Sequence, residues 1–289
     1  MEQETTGAEL ARWITDRVQE ICAGPENTLQ GRFDEPAWGE PLVGSARGSD
    51  GLWDEYKEFV GPEHWTPAEI FRLSYPDLAV EAQELAVVSW VLPQTEATKA
   101  DNRQEEVYPA ERWARSRIYG EEFNDALKRQ VAEALTEAGY PAVAPGISPA
   151  FQSVSSERFV YSSTWSERHA AYACGLGTFG LSDGLITPVG KAMRVGSVVV
   201  RADLPPTPRP YTDHQAYCLF HARGTCGDCI QRCPVGAITV EGHDKVVCRE
   251  HLGRTRAHVR EAYGFEGYGC GLCQTRVACE SGIPPALAP

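Results

Sequence analysis

Cysteine residues are concentrated in the last third of this 289-residue sequence. Eight of the ten fall in one segment, which begins at Cys218 and ends at Cys279. Within it, Cys226, Cys229 and Cys233 follow the spacing Cys-x-x-Cys-x-x-x-Cys, and Pro234 comes directly after them. This spacing with its trailing proline is typical of 4Fe-4S cluster sites, in which thiolates converge on one inorganic core. The segment therefore predicts iron–sulfur chemistry.

Two 4Fe-4S clusters would use all eight of these cysteines, because each cluster takes four thiolates. A proline-terminated cysteine usually ligates the other cluster of a pair, so we predict crossed ligation. The first cluster is assigned to Cys218, Cys226, Cys229 and Cys279. The second is assigned to Cys233, Cys248, Cys270 and Cys273. Cys22 and Cys174 lie outside both sets, and small apolar packing is the role expected for Cys174.

Three other roles compete for these cysteines, namely zinc ligation, disulfide bonding and packing as free thiols. Two Cys-x-x-Cys pairs could hold zinc, but Pro234 and the Ala237-Ile238 pair behind it favour clusters. Disulfides need an oxidising compartment, and the N-terminal Met-Glu-Gln-Glu-Thr-Thr-Gly does not resemble a signal peptide. Eight unligated thiols in so short a segment would make an unusual core. Since no apolar run reaches the roughly 18 residues of a membrane span, we expect a cytoplasmic protein without membrane association.

The elements that must position the cysteines can be predicted from apolar periodicity. Apolar residues recur at helical spacing near the N-terminus and again ahead of Gly139, which can cap a helix. A continuous apolar run closed by Pro93 predicts a buried strand. In chain order, the predictions are a helix over 8–22, a strand over 85–92, a polar loop over 99–106, a helix over 120–138 and a loop over 141–149. Residues 24–76 show no clear period.

Residues 160–200 form a second informative stretch. The residues from Thr164 to Glu167 fit a capping box, which predicts a helix that continues to Cys174 and ends at Gly175. A loop and then a strand over 196–200 should follow. The glycines of this stretch would allow the backbone to pass close to something flat or bulky, and tight turns would explain them equally well.

The stretch 160–200 and the cysteine-rich segment together resemble a known protein family. The run from Ser166 to Gly180, Ser-Glu-Arg-His-Ala-Ala-Tyr-Ala-Cys-Gly-Leu-Gly-Thr-Phe-Gly, is followed by Leu185-Ile186, Gly196-Ser197 and the cysteine series. In this order they resemble epoxyqueuosine reductases and, more distantly, reductive dehalogenases, over roughly residues 85–284. Those families are cobalamin-dependent iron–sulfur reductases. The resemblance implies an α+β fold, with a nitroreductase-like cobalamin-binding domain over 1–205 and a ferredoxin-like double-cluster domain over 206–289.

The resemblance also implies a reaction. An external ferredoxin or flavodoxin-like donor would supply electrons through the two clusters to base-off cobalamin, and a C–O or C–halogen bond of a small organic substrate would be cleaved reductively. Tyr161 occupies the position of the family's proton donor. An ordinary half-buried tyrosine is the alternative there. The cobalamin-binding residues implied by the resemblance are Ser162, Gly175, Gly177, Thr178, Phe179, Gly180, Leu185, Ile186, Gly196 and Ser197.

The sequence departs from the epoxyqueuosine reductase pattern at several points. Glu122-Phe123-Asn124 replaces an expected Asp-Tyr-His, and seven residues rather than two separate Cys218 from Cys226. Only ten residues follow Cys279, so the helical-repeat domain that holds tRNA in many of these enzymes is expected to be missing. With a formal net charge of −13, a small molecule is the expected substrate rather than a nucleic acid. The alternative function is an iron–sulfur electron-transfer or activator protein that serves a partner enzyme.

Overall fold

A computed structural model describes residues 6–288, and helices and antiparallel strands alternate along them. The helices are α1 Gly7–Cys22, α2 Leu52–Phe59, α3 Pro67–Ser74, α4 Glu96–Gln104, α5 Glu111–Glu137, α6 Glu167–Ala173, α7 Leu219–Arg223, α8 Asp228–Gln231 and α9 Lys245–Tyr263. Short 3-10 turns lie at Ala82–Glu84, Pro145–Ile147, Leu272–Gln274 and Pro285–Leu287. Within the described range, no helix combines the length and the apolar character that crossing a bilayer requires.

The strands form one main sheet and three small hairpins. They are β1 Leu42–Arg47, β2 Leu85–Pro93, β3 Ala142–Val143, β4 Ser153–Val154, β5 Ser162–Ser163, β6 Thr178–Phe179, β7 Leu185–Ile186, β8 Met193–Arg201, β9 Ile238–Thr239 and β10 Gly242–His243. The main sheet has the order β1-β2-β8-β3 and every pairing in it is antiparallel. The mixture of helices with an antiparallel sheet agrees with the predicted α+β class.

Strands β2 and β8 are the centre of the molecule. Val88 pairs with Val198, and Ser89 pairs with Ser197, so small and β-branched side chains fill both faces of the pair. Separate apolar cores cover the two faces, one containing Trp53 and the other containing α5. Because both faces are buried, these strands are apolar almost throughout, which is why the predicted strand over 85–92 is confirmed.

The helices with an apolar stripe are also confirmed, although one begins earlier than predicted. Helix α1 matches the predicted helix over 8–22, and α5 ends at Glu137, with Gly139 adopting a φ of +89° just beyond it. However, α5 begins at Glu111 rather than at residue 120. Gly120 lies inside the helix, where a Cβ atom would sit 2.7 Å from the Trp38 ring and no larger residue would fit.

The prediction of a polar loop over 99–106 is wrong, because helix α4 occupies most of it. The Thr95 side chain caps this helix by accepting a hydrogen bond from the Thr98 N–H at 3.3 Å. Its buried face is polar, with Thr98 and Asn102 both inaccessible to solvent. Apolar periodicity cannot detect a helix whose buried contacts are hydrogen bonds.

The predicted capping box ahead of α6 is also wrong. The Thr164 hydroxyl accepts from the backbone N–H of Gln152 at 3.0 Å, and the Glu167 carboxylate accepts from the Ser197 hydroxyl. Ser166 is the residue that precedes the helix. The predicted end of the helix is confirmed, since Gly175 has a φ of +76°. The predicted strand over 196–200 forms part of β8, and the predicted loop before it contains the β6–β7 hairpin.

Candidate functional site

Three cysteines that are close in sequence and a fourth from fifty residues further along line one small cavity of about 20 Å³. They are Cys218, Cys226, Cys229 and Cys279. Helices α7 and α8 position the first three, whereas the fourth arrives on the loop after Leu272–Gln274. This grouping matches the set assigned to the first cluster from the sequence. Their ligation of a cluster stays a prediction.

The four cysteines of the second predicted set act on one another through their charges. Burial is the largest cause that raises the pKa of Cys270, to about 12, and the charges of Cys273, Cys248 and Cys233 raise it further. Burial likewise raises the pKa of Cys273, on which Cys248 and Cys233 act as well. Helix α9 supplies Cys248, and Cys233 lies just after α8. The charges of these thiols therefore act on one another, Cys273 also acts on Cys229 of the first set, and the ligation of the second set stays a prediction.

The chemistry of the donors fits iron–sulfur clusters. Among residues 6–288, no three His, Cys, Asp or Glu side chains converge closely enough to hold a single metal ion. Each group of cysteines instead offers four thiols, the donors of 4Fe-4S clusters, where each thiolate binds a different iron atom. The ligands must lose their protons to bind, so loading of either group would release protons.

Lys191 lies in the same cavity as the first four cysteines, and sequence reasoning missed it. The side chain is only 2% exposed, and its ammonium group donates to the Ser182 hydroxyl at 3.1 Å. Within the described part of the chain, no carboxylate lies within 4.0 Å of it. Burial lowers the pKa of Lys191, but the thiolates, Cys279 foremost, outweigh burial and raise it. The cavity thus holds a positive charge that would suit an anionic group.

Helix α4 supports the cysteine loops from the N-terminal half of the chain. The buried Arg232 donates to the backbone carbonyls of Asn102, Glu105 and Thr275 at 3.2, 2.9 and 3.1 Å. The Asn102 side-chain amide donates to the carbonyl of Cys270 at 3.3 Å. These contacts cross the predicted boundary at residue 205 and fix where the second group of cysteines lies.

The predicted cobalamin-binding residues are mostly packed within the protein. A Cβ atom on Gly177 would lie 2.3 Å from the Ile186 carbonyl oxygen, one on Gly196 would lie 2.6 Å from Trp90 Nε1, and one on Gly175 would lie 2.7 Å from the Pro208 carbonyl oxygen. Close approach of the chain to itself therefore explains these three glycines.

The remaining predicted residues fall into three groups. The hydroxyls of Thr178 and Ser197 are buried and bonded, the first to the Tyr217 N–H and the second to Glu167. Gly180 and Ile186 line the cavity that contains the four cysteines. Those that lie in the core or are half-buried beside it are Leu185, Phe179 and Ser162. Their contact with cobalamin stays a prediction.

Tyr161, the predicted proton donor, lies immediately before β5 and is half-buried. The guanidinium of Arg249, on α9, lies over its ring at 4.3 Å from the centroid. This contact joins the tyrosine to helix α9, which also carries Cys248. The contact could not have been predicted, because the two residues belong to different predicted domains.

Comparison with known proteins gives a consistent result. No protein-family model matches the chain. Over 116 residues, it is 32% identical to the epoxyqueuosine reductases of Bacillus anthracis and Bacillus cereus. Over this segment the chain is therefore similar to epoxyqueuosine reductases. The matched segment covers 38% of this chain and only 28% of each relative, so the chain spans far less than the curated relatives do.

The chain shares its fold with solved epoxyqueuosine reductases and with a reductive dehalogenase. An epoxyqueuosine reductase from Bacillus subtilis gives a TM-score of 0.51 at 18% identity, covering 98% of this chain and 68% of that one. An epoxyqueuosine reductase with an epoxyqueuosine-modified tRNA stem loop gives 0.52 at 17% identity, again covering 98% and 68%. The catabolic reductive dehalogenase NpRdhA gives 0.50 at 14% identity, covering 96% and 38%.

Proposed function

We propose that this protein is an oxidoreductase that reductively cleaves a C–O or C–halogen bond of a small organic substrate, using cobalamin and two 4Fe-4S clusters. The observation that carries the proposal is the cavity in which Cys218, Cys226, Cys229 and Cys279 meet the buried Lys191. Thiols brought together from four points of the chain around a buried cation suit an anionic iron–sulfur cluster. The two named families supply the reaction type.

The proposal assigns a different role to each of the two parts of the chain. The cysteines of 206–289 would hold the clusters as a ferredoxin-like module. Residues 1–205 would form the nitroreductase-like part that holds cobalamin, and Gly180 and Ile186 already border the cysteine cavity. Bound cobalamin would supply the low-valent cobalt chemistry, while the protein supplies placement and protons. An external ferredoxin or flavodoxin-like protein is the proposed electron donor.

Tyr161 is the proposed proton donor. A tyrosine hydroxyl can act as a general acid when it lies within reach of the reacting atom. The guanidinium of Arg249 lies over the Tyr161 ring at 4.3 Å from the centroid, so a residue of the cysteine-rich segment holds this ring in place.

The proposal is tested by electron paramagnetic resonance of the anaerobically reconstituted protein mixed with cob(II)alamin. A five-coordinate, base-off cobalt signal together with reducible 4Fe-4S clusters is the expected result. Clusters that reduce while cobalamin stays free would instead indicate an electron-transfer or activator protein. The formal net charge of −13 favours a small substrate, and turnover only of an epoxyqueuosine-modified tRNA stem loop would contradict that part.

A further inference from the structure

Val160 adopts a backbone conformation that its side chain disfavours. Its φ is +60°, in the left-handed region, where a β-branched side chain crowds the backbone. In the described part of the chain, Val160 is the one β-branched residue among four non-glycine residues with a positive φ; the others are Gln30, Asp183 and Arg276. Strained residues persist where surrounding contacts impose them, and they cluster at functional sites. Val160 directly precedes Tyr161, the proposed proton donor.

Hydrogen bonds on both sides of Val160 impose this conformation. The backbone N–H of Tyr161 donates to the carbonyl of Phe159 at 2.6 Å, which closes a three-residue turn around Val160. A positive φ at the central residue is the rarer and more strained form of such a turn. The N–H of Val160 donates to the carbonyl of Ser156 at 2.9 Å, and the Ser156 hydroxyl accepts from the N–H of Phe159 at 3.0 Å. The turn is therefore held both before and after the strained residue.

The chain that follows Tyr161 is anchored to the body of the protein. Strand β5 pairs with β4 in a hairpin. The next residue, Thr164, exchanges two hydrogen bonds of 3.0 Å with Gln152, and its carbonyl accepts from the N–H of Trp65 at 2.8 Å. Residues 155–158, ahead of the turn, are exposed. Tyr161 thus lies where an exposed loop meets a fixed strand, and the turn at Val160 determines how the two join.

From this position the Tyr161 ring contacts the cysteine-rich segment. The guanidinium of Arg249 lies 4.3 Å from the ring centroid. A cation–π contact of this kind is lost beyond about 6 Å, so it tolerates little displacement of the ring. A negative φ at Val160 would open the turn to Phe159 and rotate the loop relative to β5. The left-handed conformation and the contact with Arg249 therefore depend on each other.

We propose that Val160 is a positioning residue, whose left-handed conformation holds the Tyr161 hydroxyl in the orientation from which it acts as an acid. This inference rests on the proposed function, because it concerns the part that Tyr161 takes in that reaction. A general acid must lie within hydrogen-bond reach of the atom that it protonates, so a turn that fixes its direction contributes to the rate. The strained turn lowers stability while it fixes the acid.

Substitutions at position 160 separate the backbone conformation from side-chain packing. Val160→Asn introduces a residue that adopts a positive φ readily, so it should keep the turn and relieve part of the strain. Val160→Gly permits a φ of either sign and no longer fixes the turn. The matched control is Gln30→Gly, which makes the same kind of change at an exposed residue with a φ of +58°. Urea unfolding should show that none of the three changes lowers stability.

The first test is ¹⁹F NMR of 3-fluorotyrosine placed at position 161 in the anaerobically reconstituted protein without cobalamin. We expect one narrow resonance in the parent chain, in Val160→Asn and in Gln30→Gly. In Val160→Gly the resonance should broaden and move towards that of an exposed fluorotyrosine. Arg249→Gln should also shift it, because the ring loses its cation. A resonance that Val160→Gly leaves unchanged would overturn the proposal.

The second test is turnover. Val160→Gly should reduce kcat roughly tenfold or more and leave KM unchanged, because the acid is displaced while substrate binding is not. Val160→Asn should restore most of the rate. An equal kcat in the parent chain and Val160→Gly would overturn this inference alone. The NMR measurement needs no turnover, so a displaced resonance in a protein that fails to bind cobalamin would retain the fixed position of Tyr161 and reject the proposed function.

Discussion

The backbone N–H of Lys191 donates to the carbonyl oxygen of Cys279 at 2.8 Å. This bond joins the residues just before β8 to the loop that brings the last cysteine to the cavity. The neighbouring Gly190 makes the contact possible, because it has a φ of +92° and a Cβ atom there would lie 2.0 Å from the Glu280 carbonyl oxygen. The position of Cys279 therefore depends on a glycine eighty-nine residues earlier in the chain.

Replacing Gly190 by alanine should destabilise the protein by about 2–4 kcal/mol, since it combines backbone strain with a clash against backbone. Urea unfolding monitored by circular dichroism would measure the change in the free energy of unfolding. The matched control is Gly253→Ala, at a position within α9 where nothing lies within 4 Å of the new Cβ. It should stabilise the protein by about 0.5–1 kcal/mol. Equal effects of the two changes would show that the contact with Glu280 is not tight.

Replacing Lys191 by methionine should lower the midpoint potential of one cluster by several tens of millivolts. The buried ammonium favours the more negative, reduced state of a nearby cluster, and its removal withdraws that support. A redox titration followed by electron paramagnetic resonance would measure the shift. Lys57→Met removes the same charge where the ammonium pairs with Glu69 at 2.8 Å, and it should leave both potentials unchanged. An unshifted potential in Lys191→Met would contradict the electrostatic role.

Replacing Cys279 by serine should reduce the iron content from about eight to about four atoms per chain, because one four-iron cluster loses a ligand. Crossed ligation further predicts that Cys218→Ser eliminates the same cluster signal as Cys279→Ser, whereas Cys270→Ser eliminates the other. Iron analysis and cluster spectroscopy on the three variants would decide. Cys22→Ser, at a buried cysteine of α1, should keep the full iron content. A bound zinc ion in place of iron would refute the cluster assignment altogether.

Replacing Tyr161 by phenylalanine should leave cobalamin and iron bound but reduce turnover by roughly a hundredfold or more, the usual contribution of a general acid. The measurement is kcat on the reconstituted enzyme together with its corrinoid and iron content. Tyr108→Phe changes a tyrosine that stacks on His258 and should retain activity. Undiminished turnover in Tyr161→Phe would eliminate this residue as the acid.

The protein should lose stability at mildly acid pH, because His64 takes up a proton in the unfolded chain more readily than in the folded one. Burial lowers the pKa of His64 from 6.5 to about 4, and the charge of Lys57 lowers it as well. Because the folded-state pKa is depressed, the stabilisation is complete above pH 6.5 and is lost as the pH falls from there towards 4, by about 3 kcal/mol. Urea unfolding between pH 7 and pH 4 would measure how the free energy of unfolding changes with pH, and His64→Gln should reduce that change. His214→Gln, at an exposed histidine, should not.

The parts of the fold that could be predicted are those held by apolar burial. Helix α1, the buried face of α5 and strand β2 each carry a period in the sequence that matches their contacts. Helix α4 carries no such period, since its buried contacts are made by Asn102 and Thr98. Hydrogen bonds to partners more than a hundred residues away leave no local pattern.

The candidate site likewise has features that the sequence predicts and features that it does not. Ligand spacing predicts two sets of four cysteines, because the covalent geometry of a cluster limits the possible spacings. The four cysteines of the first set line one cavity, and the ligation of both sets stays a prediction. Lys191 could not be predicted, since its importance lies in the cavity that it shares with residues from α7 to the C-terminal loop. The sequence shows the glycines of residues 175–196 but not the contacts that require them. Only the structure shows that Gly177 and Gly196 accommodate Ile186 and Trp90.

Arg232 has a wider consequence for how this architecture can be taken apart. Its guanidinium holds the carbonyls of Asn102 and Glu105 on one side and that of Thr275 on the other. The segment 206–289 would lose two of these three partners if it were produced alone or grafted onto another protein. The cysteine-rich part is therefore not an interchangeable cassette, and melting of the whole chain should occur as a single cooperative event.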